Sequence, residues 1–169
     1  MKKLFLFLLF CSILFSSENR ILIHGLTSHF HSKDSSGYKY NSFNYGLGFE
    51  HTNYSKKNNR NTQFVLGYSI NLISDSYKNP FFFGGILTEL RYKINSNYSI
   101  ASSVYTYIGY KKTDSLSSST FKYEPIIGAT PGLRFYFKNF SINYNFSPSI
   151  TVNNTFFEGF HYLSFSYSF

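Results

Sequence analysis

The chain has 169 residues with a single cysteine. No intramolecular disulfide can staple it, and the roughly 150 residues beyond the N-terminal segment make one domain. Aromatic residues reach 22%, with 21 Phe and 16 Tyr but no Trp, while mean hydropathy is only −0.19; that combination fits alternating strands better than helices. The formal net charge of +8 suggests nucleic acid, but the basic residues form no stripe or helix face. They gather in predicted turns, such as Lys56-Lys57-Asn58-Asn59-Arg60 and Lys111-Lys112, and read as solvated loops or contacts to anionic lipid headgroups.

In chain order, the first element is Lys2 and Lys3, then an apolar run from Leu4 to Phe15, then small polar residues. This is the layout of a secretory signal peptide over residues 1–17, leaving 18–169 as an outer-membrane β-barrel domain. The run is too short to cross about 30 Å of hydrocarbon as a helix. Cys11 follows Phe10 inside it, so it is not placed as a lipid-modified cysteine and leaves with the signal.

Strands are predicted at about 21–32, 41–54, 62–73, 80–94, 98–110, 124–137, 139–148 and 157–169. The cleanest has Phe140, Ile142, Tyr144 and Phe146 alternating with Ser141, Asn143, Asn145 and Ser147, a period of two that puts one side chain in lipid and the next in a polar interior. Leu163, Phe165, Tyr167 and Phe169 repeat the pattern to the last residue. Each strand reaches the 9–11 residues or so that a tilted span needs, and closure removes the edges that lipid cannot hydrogen-bond. The fold class expected is all-β, an eight-stranded antiparallel transmembrane β-barrel. With both termini periplasmic, the linkers near 55–61, 95–97 and 138–139 face the periplasm. Those near 33–40, 74–80, 111–123 and 149–156 face outward and are on average longer, as outer-membrane barrels require.

The sequence contains no G-x-S-x-G, H-E-x-x-H, phosphate-binding glycine loop or C-x-x-C pair. No metal and no cofactor is implied. Alternation puts His24 with Leu22 and Leu26 on the lipid side of strand one, and it puts Thr27, His29 and His31 inside near the outer end. His51 and His161, near strand ends or among aromatics, read as structural. Ser74-Asp75-Ser76-Tyr77 opens the second outward loop and brings a carboxylate and a hydroxyl to the same rim; on composition alone it is a turn.

These residues resemble a family. Leu26-Thr27-Ser28-His29 looks like the stretch carrying the catalytic histidine of the PagP-like lipid A palmitoyltransferases, and Tyr40-Asn41 with Gly46-Leu47-Gly48 looks like that family's second strand. Asp75-Ser76-Tyr77 matches its Asp-Ser-aromatic loop, Pro125, Pro131 and Pro148 fall near its later prolines, and Phe169 closes the match. The resemblance covers about 23–169. It departs where only residues 17–20 separate signal and barrel, leaving no room for the family's amphipathic helix, where no proline precedes Pro80, and where tryptophan is missing.

The resemblance implies a monomeric acyltransferase that moves an acyl chain from a phospholipid donor to lipid A of lipopolysaccharide in the outer leaflet of the cell outer membrane. His29 would be general base, Asp75 would orient it, and Ser76 would be nucleophile or oxyanion donor. Lys78, Lys111 and Lys112, with Lys33, Lys39 and Lys122, would meet lipid A phosphates. Pro125 and Pro148, unable to donate to a ladder, would mark a lateral gate. Counting from Asp75 places the family's small floor position on Leu87, an inward residue that implies acyl chains shorter than palmitate. The alternative reading is a non-enzymatic small outer-membrane barrel: an adhesin or surface-defence protein with binding loops, or a narrow channel.

Overall fold

The structure is a computed structural model that describes residues 15–31, 33, 37, 39–55, 61–113, 122–152, 155–157 and 159–169. Side-chain placement is described for these residues except 15, 16, 54, 55, 111–113, 122, 124, 150–152 and 155–157.

Alternation builds the wall. In β3 (Thr62–Ser74), Phe64, Leu66, Tyr68, Ile70 and Leu72 are exposed, whereas Val65, Gly67, Ser69 and Asn71 are buried, the period of two that successive Cβ atoms impose. The same rule organises β1 (Phe15–His29), β2 (Phe43–Ser55), β4 (Pro80–Lys93), β5 (Tyr98–Thr113), β6 (Lys122–Phe137) and β7 (Phe140–Ser147). A small hairpin, β8 (Ile150–Val152) and β9 (Thr155–Phe157), precedes the last strand, β10 (Phe160–Ser168). The eight long strands close as β1-β10-β7-β6-β5-β4-β3-β2, every neighbouring pair antiparallel. Closure runs from Arg20 opposite Ser168 to His29 opposite Phe160, and the Phe169 amide donates to the Asn19 carbonyl at 3.1 Å. The eight expected strands are present, with β1 at Phe15–His29 rather than 21–32 and β10 starting at Phe160 rather than 157, and the β8–β9 hairpin is an addition between β7 and β10.

The distribution of polarity identifies the solvent. Arg20, Glu50, Glu89 and Arg134 are each no more than 5% exposed, while Ile23, Leu47, Ile70 and Ile108 are all more than half exposed on the outside. Water around such a surface would be strongly unfavourable, and hydrocarbon around it would not. On β4, Phe82 and Tyr92 bound the exposed apolar face; at about 3.3 Å per residue and a tilt of roughly 40°, the strand between them rises roughly 25 Å, the height of an outer-membrane apolar band. The chain is a closed β-barrel of the cell outer membrane.

Two details correct or refine the sequence reading. His24 is not lipid-facing: it is 6% exposed and lies inside with Leu22, while Leu26 is 53% exposed. The register shifts between His24 and Leu26, so a bulge at Gly25 changes the phase of alternation there, and His24 and Thr27 both point inward. The second detail is the seam between β6 and β7, which is paired only from Gly132–Asn145 to Phe137–Phe140. Pro125 and Pro131 lie on the β6 stretch that extends beyond this pairing, and both occupy the same alternate set, so both remove a donor from one edge. Pro148 directly follows β7 and is exposed.

Candidate functional site

At the outer rim the structure brings His29, Asp75 and Ser76 into one neighbourhood. His29 ends β1, and Asp75 and Ser76 follow β3. His29 Nε2 and Ser76 Oγ are 2.6 Å apart, and Asn44 Nδ2 donates to both Ser76 Oγ at 3.2 Å and Thr27 Oγ1 at 2.9 Å. With Asn44 donating to Ser76, the serine O–H is free to donate to the imidazole nitrogen. The Ser76 carbonyl accepts from the Asn41 amide at 2.8 Å. Asp75 Oδ1 accepts the backbone amides of Tyr77 and Asn79 at 2.9 and 2.8 Å, and the Lys78 amide donates to the Asp75 carbonyl at 2.9 Å. Asp75 thus shapes the 75–79 turn, where Lys78 adopts a φ of 64°.

This arrangement works as a latch that ties the second outward loop to β1 and β2. Tyr40 stacks on His29 with ring centroids 4.1 Å apart, and Tyr77 meets Tyr40 edge-on at 5.6 Å. Ser76 is 9% and Asp75 5% exposed.

Below the latch aromatic side chains crowd the lumen. Phe81 and Phe83 stack at 4.8 Å, Phe83 and Tyr107 meet at 5.6 Å, and Tyr105 stacks on Tyr107 at 5.7 Å. Gly128 makes this possible, since a Cβ there would lie 2.5 Å from the Tyr107 ring. Beside the aromatics, His24 Nε2 donates to Asn71 Oδ1 at 2.9 Å and Tyr162 donates to the other ring nitrogen. Asn71 Nδ2 passes on to Ser69 Oγ at 2.9 Å and Tyr105 at 3.3 Å. Leu87 does point inward, at 0% exposed, and Val65, Leu22 and Ala101 are likewise buried.

The lower lumen holds an ion cluster that sequence reasoning did not assemble. Arg134 donates to both Glu50 oxygens at 2.8 and 2.9 Å. Arg91 Nε donates to Glu89 at 2.7 Å, Tyr136 donates to the other Glu89 oxygen at 2.7 Å, and Arg20 pairs with Glu18 at 2.6 Å. Glu18, Glu50 and Glu89 against Arg20, Arg91 and Arg134 leave the cluster neutral. A signal for it existed: charged residues on strands whose alternate positions face lipid must themselves face inward. Which charges meet, however, depends on pairing across the barrel.

The remaining predicted site residues stay apart. Lys33, Lys39 and Lys78 are exposed on outward loops, with Lys33 and Lys39 bridged across the first loop. Lys111, Lys112 and Lys122 lie on the outer parts of β5 and β6, and their side chains fall outside the described ones. Among the described residues no group of metal-ligating side chains forms.

No protein-family model matches the chain, and no curated protein does. Among solved structures it is similar to the crystal structure of Ail, the attachment invasion locus protein of Yersinia pestis. The identity is 17%, covering 90% of this chain and 97% of that one, with a TM-score of 0.48. Ail in complex with the heparin analogue sucrose octasulfate gives 15% identity, 92% and 99% coverage, and a TM-score of 0.47. The backbone structure of Ail in a phospholipid bilayer nanodisc gives 16%, 91% and 100%, and 0.42. These are not structures of the lipid A palmitoyltransferase family, so the resemblance drawn from short motifs is corrected, and with it the expectation of an acyltransferase. The Asp-Ser motif itself forms a buried turn in which Asp75 accepts the Tyr77 and Asn79 amides.

Proposed function

We propose that this chain is a non-enzymatic outer-membrane barrel that acts through what it displays outside the cell, as an adhesin or surface-defence protein. The crowded lumen carries the reading. Stacked aromatics, the His24–Asn71–Tyr162 network, Leu87 and the ion cluster succeed one another down the interior, so a solute path is disfavoured along with an acyl slot. That leaves the outer face. There β5 runs to Thr113 and β6 starts at Lys122, above a β7 that ends at Ser147, and the β8–β9 hairpin adds a further strand pair. The exposed Lys33, Lys39 and Lys78 suit lipopolysaccharide as an anionic neighbour rather than a substrate. The barrel is proposed to act as a monomer.

The test compares cells lacking the chain, cells producing it, and cells producing a form with residues 114–121 replaced by a short turn, for attachment to host cells and survival in serum. The chain should raise one of these, and the shortened form should lose the gain while still migrating as a folded, heat-modifiable barrel. Equal attachment and survival with and without the chain would refute the reading.

A further inference from the structure

At the periplasmic end the barrel wall opens into a cavity lined by Arg20, Arg91, Lys93 and Lys138, with Glu18 as its acidic member and Asn97 and Ser99 among its neutral donors. The charges do not balance locally. Glu18 accepts from Arg20 at 2.6 Å and lies 3.5 Å from Arg91, serving both guanidinium groups, while Lys93 and Lys138 extend the cationic lining at the mouth. Arg20 and Arg91 are balanced by Glu18 and by Glu89 just above, so the excess charge of the mouth is that of Lys93 and Lys138, +2. The linkers 56–61, 94–97 and 138–139 contain no acidic residue to offset it.

The two arginines are held ready. The Tyr136 ring lies between them, with the Arg91 guanidinium carbon 4.0 Å and that of Arg20 4.7 Å from its centroid. Tyr136 is itself fixed by its bond to Glu89. Arg20 is 1% and Arg91 9% exposed, yet Arg20 Nε and Arg91 Nη2 find no hydrogen-bond partner among the described residues. Buried donors of this kind normally have one, and leaving one unmet costs about 1–3 kcal/mol in general. Donors arriving from opposite walls suit a tetrahedral oxyanion better than a planar carboxylate.

We propose that the periplasmic mouth is a phosphate-binding site, and that its ligand is either the headgroup phosphate of an inner-leaflet phospholipid or a soluble phosphate. The lipid source fits the level of the site: exposed Tyr92, Tyr98, Phe137 and Phe140 ring the outer wall just above the 94–97 and 138–139 turns, where interfacial aromatics meet headgroups.

The experiment follows backbone and arginine side-chain NMR signals of the barrel, recovered from outer membranes into zwitterionic micelles. Inorganic phosphate is added in one arm and micelle-borne phosphatidylglycerol in another, each against chloride at equal ionic strength. Saturable shifts at Arg20, Arg91 and Ser99 are expected, with affinity lowered about fivefold in the Lys93→Gln/Lys138→Gln variant, whose exposed positions leave folding intact. Shifts from phosphatidylglycerol alone assign the lipid source; shifts from phosphate alone assign the soluble one. No saturation in either arm, equal response to chloride, or unchanged affinity in the double variant would overturn the site.

Discussion

Arg134 on β6 and Glu50 on β2 join opposite walls of the barrel, four strands apart in either direction, through two parallel hydrogen bonds of 2.8 and 2.9 Å. Both side chains are buried, so neither can be removed without stranding the other. Glu50→Ala or Arg134→Ala should therefore destabilise the refolded barrel by about 3–5 kcal/mol, whereas an apolar pair of similar volume at both positions should cost far less. Urea unfolding in micelles reads the difference. A small loss in both single variants would show that the strut is not satisfied as described.

Gly85 faces inward on β4, and a Cβ there would lie 2.1 Å from the Thr106 carbonyl oxygen of β5. That atom is backbone and cannot swing away. Gly85→Ala should lower stability by about 1–3 kcal/mol or stall assembly, visible as loss of the heat-modifiable band. Gly84→Ala provides the contrast, its nearest backbone contact being 3.2 Å.

Much of this fold was readable from side-chain alternation. The C-terminal strand shows why: Phe165 and Tyr167 are exposed while Ser164, Ser166 and Ser168 are buried, and nothing interrupts the phase. His24 was misplaced because a single bulge at Gly25 reverses that phase, and bulges leave no reliable mark in one sequence. The β8–β9 hairpin was missed because three residues per strand are too few to show a period. The neighbourhood of His29, Asp75 and Ser76 was legible, since strand polarity alone puts all of them at the outer rim. Its meaning was not, because cover by Tyr40 and packing by Phe81, Phe83 and Tyr107 arise from residues distant in sequence.

The latch reading separates stability from chemistry. Ser76→Ala removes the shared partner of His29 and Asn44, so it should cost about 1–3 kcal/mol in the same unfolding assay. An unchanged midpoint would indicate that the hydrogen bonds contribute nothing to holding the loop.

Glu18 is the first residue along β1 seen to reach the ion cluster, through Arg20 and Arg91. Processing of the proposed signal segment 1–17 should then leave Glu18 in the mature chain, as N-terminal sequencing of the outer-membrane form would show. A mature form beginning after Glu18, yet as stable as the full strand, would contradict its role in the cluster.

Lipid A mass spectrometry tests the central claim most directly. Lipid A from cells with and without the chain, and from cells carrying His29→Ala or Ser76→Ala, should give the same spectrum, with no species gaining an acyl chain. An added acyl chain that depends on the protein and vanishes with either substitution would contradict the account and restore the rim residues to catalysis.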